Sequence, residues 1–124
     1  MCINIFILLG IVNLELEKKT MNIFSHTQIS IPHIDTIGHG YLKISSYDLR
    51  GFGISLKEFS EYSYYDLKSG TVYLEEDCDA LKLFKLLKEK NVMVSVTDGG
   101  VDENLTNGKV RLSSRALAMN HGVQ

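Results

Sequence analysis

Residues 71–96 read TVYLEEDCDALKLFKLLKEKNVMVSV, and this stretch predicts a strand, a helix and a second strand in succession. Four apolar residues in its middle share the spacing of one helix face: Ala80, Leu83, Phe84 and Leu87. Acids precede this stripe and lysines follow it, which is the charge order that stabilises a helix dipole. We therefore predict one main amphipathic helix over about residues 78–90, with Asp77 as its N-cap.

Alternating apolar and polar residues on both sides of this helix predict strands. Residues 61–66 and 71–75 are separated by a glycine-containing turn at 68–70, so they are predicted to form a β-hairpin. Residues 92–97 alternate in the same way after the helix. The run Asp98-Gly99-Gly100 is expected to break that strand.

The part of the chain before residue 61 adds two further strands and a short helix. Ile29 and Ile31 alternate like a half-buried strand, and residues 41–44 indicate a second one. Ser45 and Ser46, followed by Asp48, suit a serine N-cap with an acid in the first turn of a short helix over about residues 46–52. The expected fold class is α+β, with a small antiparallel sheet, one main helix and one short helix.

The length of 124 residues fits one domain, which we expect to span residues 21–124. Residues 1–20 are expected to be a non-native or disordered extension. Their apolar run at 3–12 is far shorter than the ~20 residues of a membrane-spanning helix. Residues 16–20 also match a purine-rich ribosome-binding site translated as protein, which would make Met21 the natural start. The alternative is a genuine N-terminal strand or short hydrophobic helix.

Composition excludes several classes of function. The net charge of -2 provides no global field that would recruit nucleic acid or a membrane. Two cysteines form neither a disulfide framework nor a zinc set, which favours a cytoplasmic protein. The carboxylates around Cys78 oppose thiolate formation, so we expect no cysteine nucleophile. We predict no enzyme, no metal and no cofactor.

Two clusters leave a metal-dependent enzyme open as an alternative. His33 and His39 flank one predicted turn and could converge with an acid. The acidic block at residues 75–79 suits a divalent cation, because hard cations prefer carboxylate oxygens. Negative charge also stabilises the amides at the start of a helix, and this capping role is the favoured interpretation of the block.

Charge is unevenly distributed along the chain. Residues 58–79 contain seven acids and one base, together with four tyrosines, a residue type enriched at protein interfaces. We predict an acidic, tyrosine-bearing surface that binds a basic protein, built from these ten residues: Glu61, Tyr62, Tyr64, Tyr65, Asp66, Tyr73, Glu75, Glu76, Asp77 and Asp79. The alternatives are a solvated sheet face and a nucleic-acid-associated regulator that uses the basic C-terminal half, where Lys109, Arg111 and Arg115 follow the lysines of the main helix.

Three segments carry a resemblance to a known family: GHGYLK at 38–43, FSEYSYYD at 59–66 and VYLEEDCDA at 72–80. They resemble a family of small accessory proteins of phages, prophages and plasmids with a YSYxD…VYLEEDCDA core motif. The family has no activity that could assign a role to any residue. It implies an accessory gene of a mobile element. By analogy it suggests an anti-CRISPR or anti-restriction inhibitor. The expected partner is a host or phage protein, including a nucleic-acid-binding complex. The sequence is also compatible with a homodimer.

Overall fold

The structure is a computed structural model that describes residues 27–112. The extension predicted at residues 1–20 lies outside the described residues. One mixed sheet contains six strands in the order β5-β1-β2-β4-β3-β6. Their bounds are β1 Thr27–Thr36, β2 His39–Ser45, β3 Tyr64–Asp66, β4 Thr71–Glu75, β5 Val92–Val101 and β6 Val110–Arg111. The predicted α+β class is confirmed.

One strand pair departs from the predicted antiparallel sheet. The pairs along β1-β2-β4-β3-β6 are antiparallel, whereas β5 pairs with β1 in parallel. The long helical connection from β4 to β5 accounts for the difference. It crosses two strands before β5 joins the sheet, and a crossover of this length lets β5 run in the same direction as β4 and β1.

The helices begin at side-chain caps that differ in part from those predicted. The short helix α1, Ser46–Gly51, is capped by Ser45, as predicted. The main helical segment opens with a π-helical turn, Glu76–Ala80, and continues as α2, Leu81–Glu89. Glu75 is its cap, not Asp77, because the Glu75 side chain accepts the first free amides. Within residues 27–112 no helix is long and apolar enough to cross a membrane.

Two apolar clusters cover the two faces of the sheet. On one face, α2 buries Leu83 and Leu87 completely against Leu42, Ile44, Val72 and Leu74. On the other face, Leu105 closes a smaller cluster with Ile34, Tyr41 and Tyr73. Four of the five β4 residues are consequently buried.

The predicted break at residues 98–100 is wrong, because β5 continues through both glycines to Val101. The register between β1 and β5 shifts by one residue at this point. A Cβ atom on Gly99 would lie 2.9 Å from Cγ1 of Ile34 and 3.0 Å from the carbonyl oxygen of His33. This glycine therefore permits close packing between the strands and does not end β5.

The predicted hairpin is present with a shorter first strand. β3 spans Tyr64–Asp66 and pairs with β4, while residues 61–62 form a turn before it. Gly70 has a φ of 75°, and its N–H donates a hydrogen bond of 2.8 Å to the Asp66 carbonyl. A positive φ is accessible to glycine at little cost, which explains why the turn is placed there.

Candidate binding cleft

Glu75 connects the end of β4, the start of the main helical segment and the β1–β2 turn. Its Oε1 accepts hydrogen bonds from the amides of Asp77 (2.8 Å) and Cys78 (2.9 Å). Its Oε2 lies 3.2 Å from Nδ1 of His39. Burial raises the pKa of Glu75, but these hydrogen bonds together outweigh burial and leave the pKa below its ordinary value. Glu75 is therefore a buried carboxylate, and His39 is held beside it.

A second histidine–carboxylate pair lies next to the first. Nε2 of His33 is 2.6 Å from Oε1 of Glu76, and Nδ1 of His33 is 3.7 Å from Oδ1 of Asp35. A Cβ atom on Gly40 would collide with both Glu76 Oε1 and His33 Nε2. Glycine at position 40 therefore leaves the space in which this pair forms.

The sequence indicated that His33 and His39 could converge with an acid. Both histidines do contact acids, but they contact different ones. Glu75 meets His39, and Glu76 meets His33. Among residues 27–112 there is no group of three or more histidine, cysteine or acidic side chains arranged to hold a metal ion.

Asp79 is the most buried acid of the predicted surface, with 1% of its area exposed. It accepts the amide of Ser60 (3.0 Å), the hydroxyl of Ser60 (2.8 Å) and the hydroxyl of Ser63 (2.5 Å). Ser63 Oγ in turn accepts the amide of Glu75 at 2.9 Å. Asp79 thus joins the loop before β3 to the start of the helix and is not a surface contact.

The tyrosines are distributed between core and surface. Tyr65 packs in the main core, and Tyr73 packs in the smaller cluster that includes Leu105. Tyr64 is half-buried, and its ring meets that of Tyr41 edge-on at 6.1 Å between centroids. Tyr62 is 54% exposed.

An open cleft of about 560 Å³ lies between the β1–β2 turn, the helix start and the loop after β5. Its walls are formed by Thr36, Ile37, His39, Tyr41, Tyr62, Tyr64, Glu75, Asp77, Cys78, Glu103, Thr106 and Arg111. Three tyrosine rings and three carboxylates therefore border one concave surface. The cleft is of a size that accommodates a peptide side chain or a small ligand.

Arg111 is held in place at the edge of this cleft. Its guanidinium carbon lies 5.0 Å from the centre of the Tyr64 ring, and its Nη1 donates a 3.1 Å hydrogen bond to the Glu61 carbonyl. By contrast, neither Asp77 nor Glu103 forms an ion pair within the part of the chain that the structure describes. The cleft therefore keeps a surplus of negative charge.

These positions correct the predicted surface for four of its ten residues. Tyr65, Tyr73, Glu75 and Asp79 are buried, so the prediction that they form an exposed contact surface is wrong. Glu61, Tyr62, Glu76 and Asp77 are exposed, and Tyr64 and Asp66 are half-buried. Four of the ten line the cleft: Tyr62, Tyr64, Glu75 and Asp77.

Cys78 lines the cleft, but its surroundings do not favour the thiolate form that a cysteine nucleophile needs. Desolvation and the neighbouring carboxylates, first among them Glu75, raise the pKa of the Cys78 thiol. This direction agrees with the sequence argument that the acidic block opposes thiolate formation.

Asp66 has a local structural role in the β3–β4 turn. Its Oδ1 accepts the Lys68 amide at 3.0 Å, and this bond is the main reason that the pKa of Asp66 is lowered. The carboxylate closes the turn as an Asx motif, which is a common function of aspartate in turns.

Residues 103–111 contribute three residues to the cleft: Glu103 and Thr106, which the sequence did not single out, and Arg111, which it identified only as part of the basic C-terminal half. Their place depends on Leu105, which is buried beneath Tyr73 and Tyr41 and fixes the loop on the sheet. The signals in the sequence are the Asn107-Gly108 turn before Val110 and Leu112, which predicts a return to the sheet, and the single leucine among polar residues at position 105.

Acid should destabilise the protein through Glu75. A carboxyl whose folded pKa is lowered contributes stability above its unfolded pKa, here 4.5, and loses that contribution as the pH falls through the folded value. We expect the free energy of unfolding, measured in urea between pH 7 and pH 3, to fall less steeply in Glu75→Gln than in the wild type. Parallel curves for the two proteins would contradict this assignment.

Comparison of the chain with protein-family models, with curated proteins and with solved structures finds no match.

Proposed function

We propose that the chain binds another protein by accepting a basic segment of that protein in the cleft. The observation that carries the proposal is the joint presence, on the cleft walls, of three tyrosine rings and two exposed carboxylates, Asp77 and Glu103, that form no ion pair within residues 27–112. Aromatic rings supply contact area and attract cations through their faces, and carboxylates pair with lysine and arginine. A basic, partly aliphatic side chain matches both features.

The charges of the cleft favour a cationic ligand over an anionic one. Arg111 is engaged by the Tyr64 ring and the Glu61 carbonyl, so its charge is partly satisfied within the chain. Asp77 and Glu103 are exposed and make no ion pair within residues 27–112. An incoming cation gains these two carboxylates, whereas a phosphate would be repelled by them.

The family resemblance supplies the class of partner in this proposal. Accessory proteins of mobile elements commonly act on host proteins, and host defence complexes bind nucleic acid through basic surfaces. A chain that offers carboxylates and tyrosines to such a surface would block it. An inhibitor of a CRISPR or restriction system is the most specific form of the proposal.

The binding of basic peptides tests the cleft directly. Oligo-arginine and oligo-lysine peptides, with oligo-glutamate as the acidic comparison, would be titrated into the full chain and followed by NMR. We expect shifts of amides around Tyr62, Tyr64 and Asp77 with the basic peptides only. Affinity should fall as salt rises, because exposed charge pairs are screened.

Charge reversal provides the matched control. Asp77→Lys combined with Glu103→Lys should weaken basic-peptide binding by about tenfold or more, because like charges then face each other. Glu58→Lys combined with Glu89→Lys makes the same change in net charge at exposed positions outside the cleft and should leave binding nearly unchanged. Equal losses in both double variants would show that net charge, not the cleft, binds the peptide, and would refute the proposal.

A further inference from the structure

The two edges of the sheet differ in length and in protection. β6 is two residues long and carries Arg111, whereas β5 is ten residues long. β5 contains no lysine, arginine or proline, the residues that commonly prevent an edge strand from pairing with another chain. Among residues 27–112 no strand pairs with the outer edge of β5. This edge is therefore free to accept a further strand from outside the described residues.

Only the first part of β5 is regular enough to pair. Val92 to Asp98 align residue by residue with Thr27 to His33, and the register then shifts. The shift coincides with Gly99, which is packed tightly against β1. Because a bulge twists a strand edge away from a regular ladder, pairing beyond Asp98 is disfavoured. The regular segment is thus centred on Ser95.

Each face of this segment carries one large apolar side chain that is exposed, among the polar residues Ser95, Thr97 and Asp98. Val92 is buried and Val94 is half-buried against the main core, while Val96, on the same face, is 51% exposed. Met93 points to the opposite face and is 53% exposed. A strand added at this edge would cover Val96 and Met93, whose present exposure to water is unfavourable.

We propose that the outer edge of β5 pairs with β5 of a second copy of this chain, antiparallel, about a two-fold axis at Ser95. This axis uses the whole regular segment and places Val94 of each copy opposite Val96 of the other, a favourable cross-strand pair. Asp98 is the one charged residue between Val92 and Asp98. It would lie opposite Val92 and far from its own symmetry mate, so no like charges would face each other across the axis.

A charge swap at the axis tests this dimer. The mass of the full chain in solution would be measured by light scattering for the wild type, Ser95→Lys, Ser95→Glu and an equimolar mixture of the two variants. We expect a dimer for the wild type and a monomer for each variant alone, since identical charges would face each other. The mixture should restore the dimer, because lysine then faces glutamate. Asn107→Lys, in the turn before β6, is the control and should remain dimeric.

Other outcomes would overturn the proposal. A monomeric wild type whose β5 amides are protected from hydrogen exchange would show that a terminal segment of the same chain covers the edge. A monomeric wild type with exchanging amides would show that the edge is vacant. Variants that stay dimeric, or a mixture that stays monomeric, would place the interface elsewhere. Circular dichroism of each variant separates loss of the dimer from loss of the fold.

Discussion

Replacement of Asp79 by alanine should cost more stability than removal of any other acid in residues 58–79. Asp79 accepts hydrogen bonds from Ser60 and Ser63 in a site where it is 1% exposed. Its loss leaves the buried Ser63 hydroxyl and the half-buried donors of Ser60 without this acceptor, and hydrogen bonds to charged groups contribute about 1.5–3 kcal/mol each, though not additively. We expect the free energy of unfolding to fall by about 3 kcal/mol, a large fraction of the roughly 5–15 kcal/mol of a typical domain.

Asp77→Ala is the matched control for this experiment. Asp77 belongs to the same acidic block but is exposed, so its replacement should change the free energy of unfolding by about 0.5 kcal/mol or less. Urea denaturation followed by circular dichroism measures both. If the two variants lost similar stability, the serine–aspartate network would not hold the loop before β3 to the helix.

Replacement of Leu105 by alanine should release the loop that forms one wall of the cleft. Leu105 is 1% exposed. The hydrogen bonds of residues 104–109 are mostly made within the loop itself, so they do little to attach the loop to the sheet. Leucine-to-alanine changes in cores cost about 2–5 kcal/mol. Because the cluster is small and local, we expect faster hydrogen exchange throughout residues 102–109 and greater solvent exposure of Tyr73 and Tyr41, with the main core retained.

The same variant connects the loop to the proposed function. Glu103 and Thr106 line the cleft only while Leu105 fixes the loop, so basic-peptide affinity should fall together with the exchange protection. Leu81→Ala makes the same chemical change at a position that is 73% exposed and should alter neither property. Undiminished peptide binding by the Leu105 variant would exclude this loop from the binding site.

The features that the sequence predicted correctly are those set by local periodicity and local capping. The stripe containing Leu83 and Leu87 identified the main helix because apolar side chains at helical spacing must be buried together. Ser45 marked the start of the short helix because its hydroxyl can accept the free amides of Tyr47 and Asp48. Both effects operate within a few residues, so they are visible in the chain itself.

Most of the errors concern contacts between distant residues, whereas the N-cap of the main helix is a local error, because Glu75 and not Asp77 accepts the first free amides. The acids Asp77 and Asp79 are equivalent by local rules, and only the serines 16 and 19 positions before Asp79 determine which is buried. Alternation along β4 places Tyr73 on the face opposite Val72 and Leu74, but its burial depends on Leu105, from a loop far along the chain. Likewise, Gly99 was interpreted as a break because nothing near it indicates the close approach of β1.

The parallel pairing of β1 with β5 has a consequence for the kinetics of folding. Thr27 pairs with Val92, 65 positions later, whereas the β1–β2 and β3–β4 hairpins close short loops. Because the entropy lost on loop closure grows with separation along the chain, distant pairings are slow to form. A nascent chain leaving the ribosome cannot pair the outer edge of β1 with β5 until β5 has been synthesised, and until then this edge of β1 is open to chaperones and to other chains.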